Sequence, residues 1–308
     1  MQFDTPILLI AFNRPKNTQL IFDQIKKIQP SKLYFSVDGP RGNNSDDIIK
    51  CKEVKNITKQ IDWNCELKTK FSNTNLGCGR GPASGITWFF ENEHEGIILE
   101  DDMMPDLIFF NYCKSLLEKY RNNKDIHIIS GGNIFKSYSK ENSYYFSRAT
   151  RMWGWATWER VWKNFDFDVK CDKIELAKAL ADFNINATYV RLITNFYSKV
   201  FSVDKRSYWD FQVDYMLFIN RAINIMPNSH LVGNTGFSEE GTHTKSYSSI
   251  CEKDIDYSRF FPLKHPLQIT VDEECDKTTF RKTYYISPIR VYRGKIKKVL
   301  KSILGINK

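Results

Sequence analysis

The first half of the chain alternates short apolar runs, rich in β-branched residues, with amphipathic segments of helical length. The runs are bounded by Gly, Pro, Asn and Asp, which is typical of buried strands. Strands that alternate with helices form βαβ units on a mainly parallel sheet. We therefore expect an α/β fold with a mixed, mostly parallel central sheet and helices on both faces. The predicted strands are 6–12, 32–38, 66–72, 96–100 and 126–130, and the predicted helices are 15–28, 46–63, 81–92 and 105–121.

The second half loses this alternation, although no linker or change of composition separates it from the first. It begins with a tryptophan-rich block at 151–162 and contains a loop rich in Gly, Asn, Ser and Thr at 228–244. The predicted helices of this half are 174–183, 187–201 and 207–222. We expect one domain over 1–285, with a nucleotide-binding half at 1–131, an acceptor-binding half at 132–285, and a basic amphipathic tail at 286–308.

The 308 residues carry a net charge of +9, and this charge is unevenly distributed. Seven of the 45 Lys and Arg lie in the last 19 residues, which contain no acid, so the rest of the chain holds 38 basic against 36 acidic residues. This balance argues against nucleic-acid binding through a basic face of the domain. If residues 290–304 of the tail form a helix, its apolar and basic residues lie on different sides. That pattern favours a peripheral contact with an anionic membrane, a helix packed on the domain, or a disordered tail.

The cysteines and apolar runs indicate a cellular compartment. The seven cysteines are at least thirteen residues apart, so their spacing predicts neither a zinc site nor a redox pair, and we interpret them as reduced thiols. The N-terminal apolar run lacks the basic region of a signal peptide, and no run reaches the roughly 20 apolar residues of a membrane-spanning helix. We expect a cytoplasmic protein, at the inner face of the cytoplasmic membrane if the tail binds lipid.

Three consecutive carboxylates, Glu100, Asp101 and Asp102, stand where the predicted strand 96–100 ends. In open α/β sheets, ligands bind outside the carboxyl ends of strands, where the strand order reverses. Carboxylates crowded at such a place repel one another and favour Mg²⁺ or Mn²⁺, which would bridge diphosphate oxygens. A charged strand end exposed in a loop is the alternative. His243, in the second-half loop, is a further candidate ligand for metal or phosphate, or is simply exposed.

Polar residues also follow the first two predicted strands. Asn13 and Arg14 follow the first and Asp38 follows the second, so parallel pairing would bring them to one edge, where Asp38 could accept a hydrogen bond from a nucleobase. Ordinary turn chemistry is an equally good explanation. The glycine-rich segment 73–81 would let its backbone approach a phosphate, and Arg80 could pair with an anion. Its spacing matches neither a dinucleotide fingerprint nor a phosphate loop, which argues against a dehydrogenase and a P-loop ATPase.

Aromatic residues in the second half are candidates for sugar binding. Flat apolar rings that carry N–H donors suit sugar rings, and a structural aromatic plug is the alternative. We select Trp153, Trp155 and Trp209 as candidate acceptor contacts. Asp210, beside Trp209, is a candidate general base. Asp214 shares its helix face at a spacing of four residues, and solvated surface explains Asp214 better than catalysis does.

The order of these motifs resembles that of GT-A glycosyltransferases, and in particular of bacterial proteins related to the N-acetylglucosaminyltransferase I family. The resemblance covers roughly residues 5–245 and rests on the segments PILLIAFNRP, FSVDGPRG, SNTNLGCGRGPASGITWFF, GIILEDDMMPDLIFF and RMWGWATWERVW. It implies a GT-A nucleotide-sugar-binding fold. It also implies metal-dependent, inverting transfer of a hexose or N-acetylhexosamine from a nucleotide-diphosphate sugar, with UDP favoured. The implied acceptor is a glycan, lipid-linked in the membrane-bound case, in bacterial surface polysaccharide, lipopolysaccharide or oligosaccharide synthesis.

The resemblance also implies roles for the residues that match its motifs. Asn13, Arg14 and Asp38 would contact the nucleotide, Arg80 the donor phosphates, Glu100 and Asp101 the donor sugar and ribose, and Asp102 the Mn²⁺ or Mg²⁺ ion. The family has two consecutive aspartates after a tryptophan in the helix that supplies the catalytic base. Here Phe211 stands in place of the second, so the role of base passes to Asp210 alone.

Two other classes of protein share some of these features. A nucleotidyltransferase that makes a nucleotide sugar would carry a Gly-rich, basic triphosphate loop after the first strand, where this chain has Phe12-Asn13-Arg14-Pro15. A non-catalytic carbohydrate-binding protein would explain the tryptophans but not the three carboxylates at a strand end. We keep both as alternatives to the transferase.

Overall fold

The computed structural model describes residues 2–133, 135, 141–203, 207–235 and 260–284. The candidate ligand His243 and the basic tail at 286–308 lie outside the described residues, so their predicted roles stay predictions. Within the described part, no helix is both long enough and apolar enough to cross a membrane.

Ten strands and nine α-helices make up the described part of the chain. The strands are β1 (Ile7–Ala11), β2 (Lys32–Val37), β3 (Glu66–Phe71), β4 (Glu95–Glu100), β5 (Met103–Pro105), β6 (Ile126–Ser130), β7 (Tyr144–Ser147), β8 (Trp155–Trp158), β9 (Ile223–Pro227) and β10 (Val232–Asn234). The helices are α1 (Pro15–Ile28), α2 (Ser45–Asn56), α3 (Gly77–Phe90), α4 (Leu107–Tyr120), α5 (Glu159–Trp162), α6 (Lys173–Ala181), α7 (Ala187–Val200), α8 (Asp210–Ile219) and α9 (Glu273–Thr283).

Eight of the strands form one sheet in the order β3-β2-β1-β4-β8-β6-β9-β7. The first four are mutually parallel, β8 runs antiparallel to both of its neighbours, β6 and β9 are parallel to each other, and β7 is antiparallel to β9. The predicted mixed α/β fold with a mostly parallel central sheet is therefore confirmed. Strands from both halves of the chain contribute to this sheet.

The strand order reverses at β1, because the chain proceeds from β1 to β2 and β3 on one side and then returns to place β4 on the other. The register pairs Ala11 with Val37 and Ile10 with Glu100, so three strands end nearly level. The residues that follow them, including Arg14 and Asp38, therefore meet at one edge of the sheet. This edge has the position at which open α/β sheets bind ligands.

The tryptophan-rich block differs from its prediction as a sugar-binding surface. Its centre forms β8, which is inserted between β4 and β6 with Trp155 opposite Ile98. Only 1% of Trp155 is exposed, and its ring stacks on Trp209 at a centroid distance of 5.8 Å. An indole enclosed in this way has no face for a sugar, so the prediction that Trp155 contacts the acceptor is wrong.

Three further segments differ from the predicted elements. Helix α3 begins at Gly77, four residues before the predicted start, so most of the glycine-rich segment is helix rather than loop. The predicted helix 46–63 ends earlier, at Asn56, and a short 3-10 turn, Ile57–Gln60, follows it. In the loop predicted at 228–244, β10 forms a small antiparallel sheet with β5, and the Thr235 N–H donates to the Asp102 carbonyl at 2.8 Å.

A second aromatic cluster supports helix α8 from the side away from the main sheet. It joins α6, α7, α8 and α9 through buried residues, which include Leu176, Tyr197, Tyr215, Phe218 and Phe280. The other side of α8 contributes Val213, Met216 and Leu217 to the main core. Packing on two sides holds α8 in place, and its first turn faces the edge where β4 ends.

Candidate functional site

Two cavities lie at the edge where β1, β2 and β4 end. The first has a volume of about 460 Å³ and lies between the ends of β1 and β2 and the start of α3. The second has a volume of about 520 Å³ and lies between the end of β4, the segment 150–153 and the start of α8. Arg14, Cys78 and Glu100 line both cavities, so the two meet at these residues.

The Arg14 guanidinium joins two of the three carboxylates that follow β4. Its Nη1 lies 3.2 Å from Asp101 Oδ1 and 3.2 Å from Asp102 Oδ2. The Asp101 carboxylate also accepts the Phe12 N–H at 3.3 Å. Burial raises the pKa of Asp101 to about 6, although the Arg14 charge acts in the opposite direction. These contacts bring together the ends of β1 and β4.

Glu100 occupies the junction between the two cavities. Loss of hydration raises its pKa well above the usual range, and the negative charges of Asp102, Asp101 and Asp210 raise it further. Arg14 is the cation that opposes this shift. Three neighbouring carboxyl groups thus raise the pKa of Glu100, and an additional cation would relieve this repulsion.

The carboxylates of this site could bind a divalent cation if substrate phosphates and water supplied the remaining ligands. Among the described residues, no group of three or more His, Cys, Asp and Glu side chains is arranged to enclose a metal ion. Mg²⁺ is commonly bound by one or two carboxylates together with substrate phosphates and water. Asp102 lines the second cavity and its side chain is 22% exposed, so it can supply such a carboxylate.

Asp38 lines the first cavity, but its carboxylate is already engaged by the protein. Oδ1 accepts the N–H groups of Gly39 and Leu76, at 2.8 Å and 2.9 Å, and Oδ2 accepts from Asn75 Nδ2 and the Gly77 N–H, at 3.1 Å and 3.0 Å. Asp38 therefore ties the end of β2 to the turn that begins α3. Its predicted contact with a nucleobase would have to compete with these bonds.

Asn13 and Arg80, both predicted to bind the donor, are placed differently. Asn13 lines the first cavity and donates from Nδ2 to Asp47 Oδ1 at 2.7 Å. Arg80 projects from α3 to the surface, where its Nη2 lies 2.8 Å from Asp168 and its guanidinium covers the Phe167 ring at 4.4 Å. It is not among the residues that line either cavity. The geometry gives no support to its predicted phosphate contact.

The second cavity brings together the predicted base and two of the three predicted acceptor residues. Asp210 is the first residue of α8, and it lines the cavity together with Trp153 and Trp209. Trp209 is largely buried, at 5% exposure, whereas Trp153 is half-buried. The Arg151 guanidinium lies over the Trp153 ring at 4.4 Å, and His230 stacks against that ring at 6.4 Å.

Asp214 belongs to this cavity too, although the sequence favoured a solvated position for it. It lies one helical turn after Asp210 and lines the same cavity. Burial and the negative charge of Asp210 raise its pKa to about 8. The Tyr197 hydroxyl approaches Asp214 Oδ2 at 3.5 Å and is itself 3.0 Å from the Tyr284 hydroxyl. The spacing of four residues was the signal that could have identified this pair.

No family model matches the chain, and no curated protein matches it. Among solved structures, the crystal structure of HddC from Yersinia pseudotuberculosis is similar to 52% of this chain and to 80% of its own. The two share 11% sequence identity and superpose with a TM-score of 0.34. A likeness at this level carries no argument about activity.

We expect Asp38→Asn to destabilise the protein by about 2 kcal/mol. Each carboxylate oxygen of Asp38 accepts backbone N–H groups, and in asparagine one of these oxygens is replaced by an amide nitrogen, which cannot accept them. The matched control is Asp172→Asn, at the N-cap of α6. There a single oxygen, Oδ1, accepts both the Ile174 and the Glu175 N–H, so an asparagine keeps the bonds. Urea denaturation measures both variants, and equal losses of stability would contradict the role assigned to Asp38.

The raised pKa of Asp214 predicts a pH-dependent stability. Between the usual carboxyl range and a pKa of about 8, the folded protein keeps a proton that the unfolded chain releases, so stability falls as the pH rises. Asp214→Asn removes this term. The unfolding free energy of the variant minus that of the wild type should therefore increase from pH 5 to pH 8. Above pH 8 this difference should stay constant. The exposed control Asp23→Asn should show no such trend in the same denaturation series.

Proposed function

We propose that the protein is a glycosyltransferase that uses a nucleoside-diphosphate sugar. The observation that carries the proposal is the meeting of the two cavities at Glu100 and Arg14, with Asp210 lining the second. A donor in the first cavity and an acceptor in the second would come together at this junction. The sheet topology, with a crevice at the reversal of strand order, supports a nucleotide ligand in the first cavity.

On the donor side, the chain supplies groups for the diphosphate and the sugar. Arg14 lines both cavities and can donate to phosphate oxygens, while Asp101 fixes its orientation. Asp102 would hold Mn²⁺ or Mg²⁺, which when bound would neutralise the charge that develops on the departing diphosphate. Glu100, which lines both cavities, would hydrogen-bond the sugar of the donor. Positioning and charge neutralisation are the main contributions of such a site.

On the acceptor side, Asp210 would accept the proton of an acceptor hydroxyl. The oxygen of that hydroxyl forms a bond to the anomeric carbon, and the bond from that carbon to the diphosphate breaks, with the electron pair leaving on the diphosphate. Direct displacement of this kind inverts the anomeric configuration. Trp153 lines the same cavity and is half-buried, so an acceptor sugar could contact its exposed part. Burial and the charge of Asp210 raise the pKa of Asp214, which favours its neutral form beside Asp210.

The transferase is tested by hydrolysis and transfer assays on a panel of nucleotide sugars with Mn²⁺ or Mg²⁺. We expect Asp210→Asn to lower kcat by about 10²- to 10⁴-fold, because the variant lacks the general base. The control Asp168→Asn, which removes an exposed carboxylate from the Arg80 ion pair, should retain activity. Formation of nucleotide sugars from triphosphates would instead show a nucleotidyltransferase. Glycan binding without any turnover would show a carbohydrate-binding protein.

We expect Asp102→Ala to abolish turnover that depends on the metal and to remove the stabilisation that metal and nucleotide together give against thermal unfolding. The reason is that Asp102 lines the second cavity with a side chain that is 22% exposed, so it can supply a carboxylate to the metal. Thermal shift with UDP, with and without Mn²⁺, measures the effect independently of turnover. Normal metal-dependent activity in this variant would contradict the assignment.

A further inference from the structure

Cys78, the second residue of α3, reaches both cavities, and the proposed chemistry gives it no role. It lines the first cavity together with Gly77 and the second together with Ser207 and Tyr208. Its Sγ lies 2.9 Å from the Ser207 carbonyl oxygen, to which the thiol donates a hydrogen bond. The bond joins residues that are 129 positions apart in the sequence. It links the helix beside the proposed donor cavity to the segment that precedes α8.

The start of α3 is fixed on the sheet, so Cys78 is held in a defined position. Gly77, the first residue of the helix, has a φ of 83°, a conformation that residues with a side chain rarely adopt. Its N–H donates to Asp38 Oδ2 at 3.0 Å, and the Leu76 N–H donates to Asp38 Oδ1 at 2.9 Å. The end of β2 thereby sets where the first turn of α3 begins, and the thiol extends this constraint to Ser207.

The segment from Ser207 to Asp210 is short and is fixed from within α8. Gln212 is buried on the first turn of that helix, and its Nε2 donates to the Tyr208 carbonyl at 3.1 Å and to the Phe167 carbonyl at 3.2 Å. The two carbonyls use both protons of the amide, which fixes the amide in one orientation. A displacement at Ser207 would therefore be passed on to Asp210, three residues later, rather than absorbed by the segment.

A second contact from the same helix reaches the cap of α8. Thr87, in the last turn of α3, accepts the indole N–H of Trp162 on its Oγ1 at 3.0 Å. The Trp162 ring lies 6.5 Å from the ring of Trp209, the residue that caps α8. Helix α3 thus supports the start of α8 at two points, one from its first turn and one from its last.

We propose that Cys78 is a positioning residue for Asp210, acting through its hydrogen bond to the Ser207 carbonyl. The inference rests on the proposed function and deepens it, because it names the contact by which the donor-side helix sets the position of the general base. In this role the thiol neither transfers a proton nor binds the donor. A general base must lie within hydrogen-bond reach of the proton it removes, so a displacement of about 1 Å lowers turnover without weakening nucleotide binding.

The test compares Cys78→Ala with Cys78→Ser in the full-length protein, using the nucleotide sugar and metal that the wild type turns over best. Alanine removes the hydrogen-bond donor, whereas serine keeps a hydroxyl that can donate to the same carbonyl. We expect Cys78→Ala to lower kcat about 10-fold and Cys78→Ser to keep kcat within about 2-fold of the wild type. Calorimetry with the nucleoside diphosphate of that donor and Mn²⁺ should give the same Kd for all three proteins.

The matched control is Cys65→Ala. Cys65 stands just before β3, at the end of the sheet opposite both cavities, and packs against the main core. This variant should leave kcat and Kd unchanged.

Wild-type kcat in Cys78→Ala would overturn the positioning role while leaving the transferase proposal intact. A raised Kd in Cys78→Ala would show a donor contact and overturn it too. Equal losses of kcat in Cys78→Ala and Cys78→Ser would also overturn it, because the hydrogen bond would then not be the cause. If the wild type transfers sugar from none of the nucleotide sugars, both proposals fail.

Discussion

The pairing of Arg14 with Asp101 and Asp102 is the interaction on which the arrangement of the site depends. Strands β1 and β4 are neighbours, and the strand order reverses at β1, which is where open α/β sheets form a crevice beyond the strand ends. Pro15 stands at the first position of α1 and disfavours the helical conformation at Arg14, whose φ of −117° and ψ of 72° lie outside the helical region. Arg14 is therefore held outside the helix, with its side chain across the crevice to the carboxylates.

This pairing also leaves a charge pattern along the edge of the sheet. At the β2 end, Arg41 is paired with the buried Asp47 at 2.6 Å, and Lys50 and Lys70 also line the first cavity. At the β4 end, Arg14 stands against Glu100, Asp101 and Asp102, and burial together with the neighbouring negative charges raises the pKa of Glu100. The edge thus carries cationic side chains at the β2 end and a group of carboxylates at the β4 end.

Much of this edge could be predicted from the sequence, because buried parallel strands are continuous apolar runs and the residues that end them are polar. Arg14, Asp38 and the three carboxylates were found in this way. The start of α3 was not, because its glycines disfavour a helix, and bonds from the Gly77 turn to Asp38 outweigh that preference. Strand β8 was not predicted, because a strand of only four residues is too short for its hydrophobic pattern to distinguish strand from helix. Its partners, β4 and β6, are also distant from it in sequence.

The burial of the tryptophans shows why composition alone could not separate a sugar site from a structural plug. Trp155 lies in the sheet and stacks on Trp209, the residue that caps α8. Trp162 lies 6.5 Å from Trp209 on the same cluster. A rigid indole at the cap fixes the first turn of α8 against the sheet, and Asp210 is the first residue of that turn. The buried tryptophan cluster therefore supports the second cavity, because packing among these rings determines the position of Asp210, the candidate base.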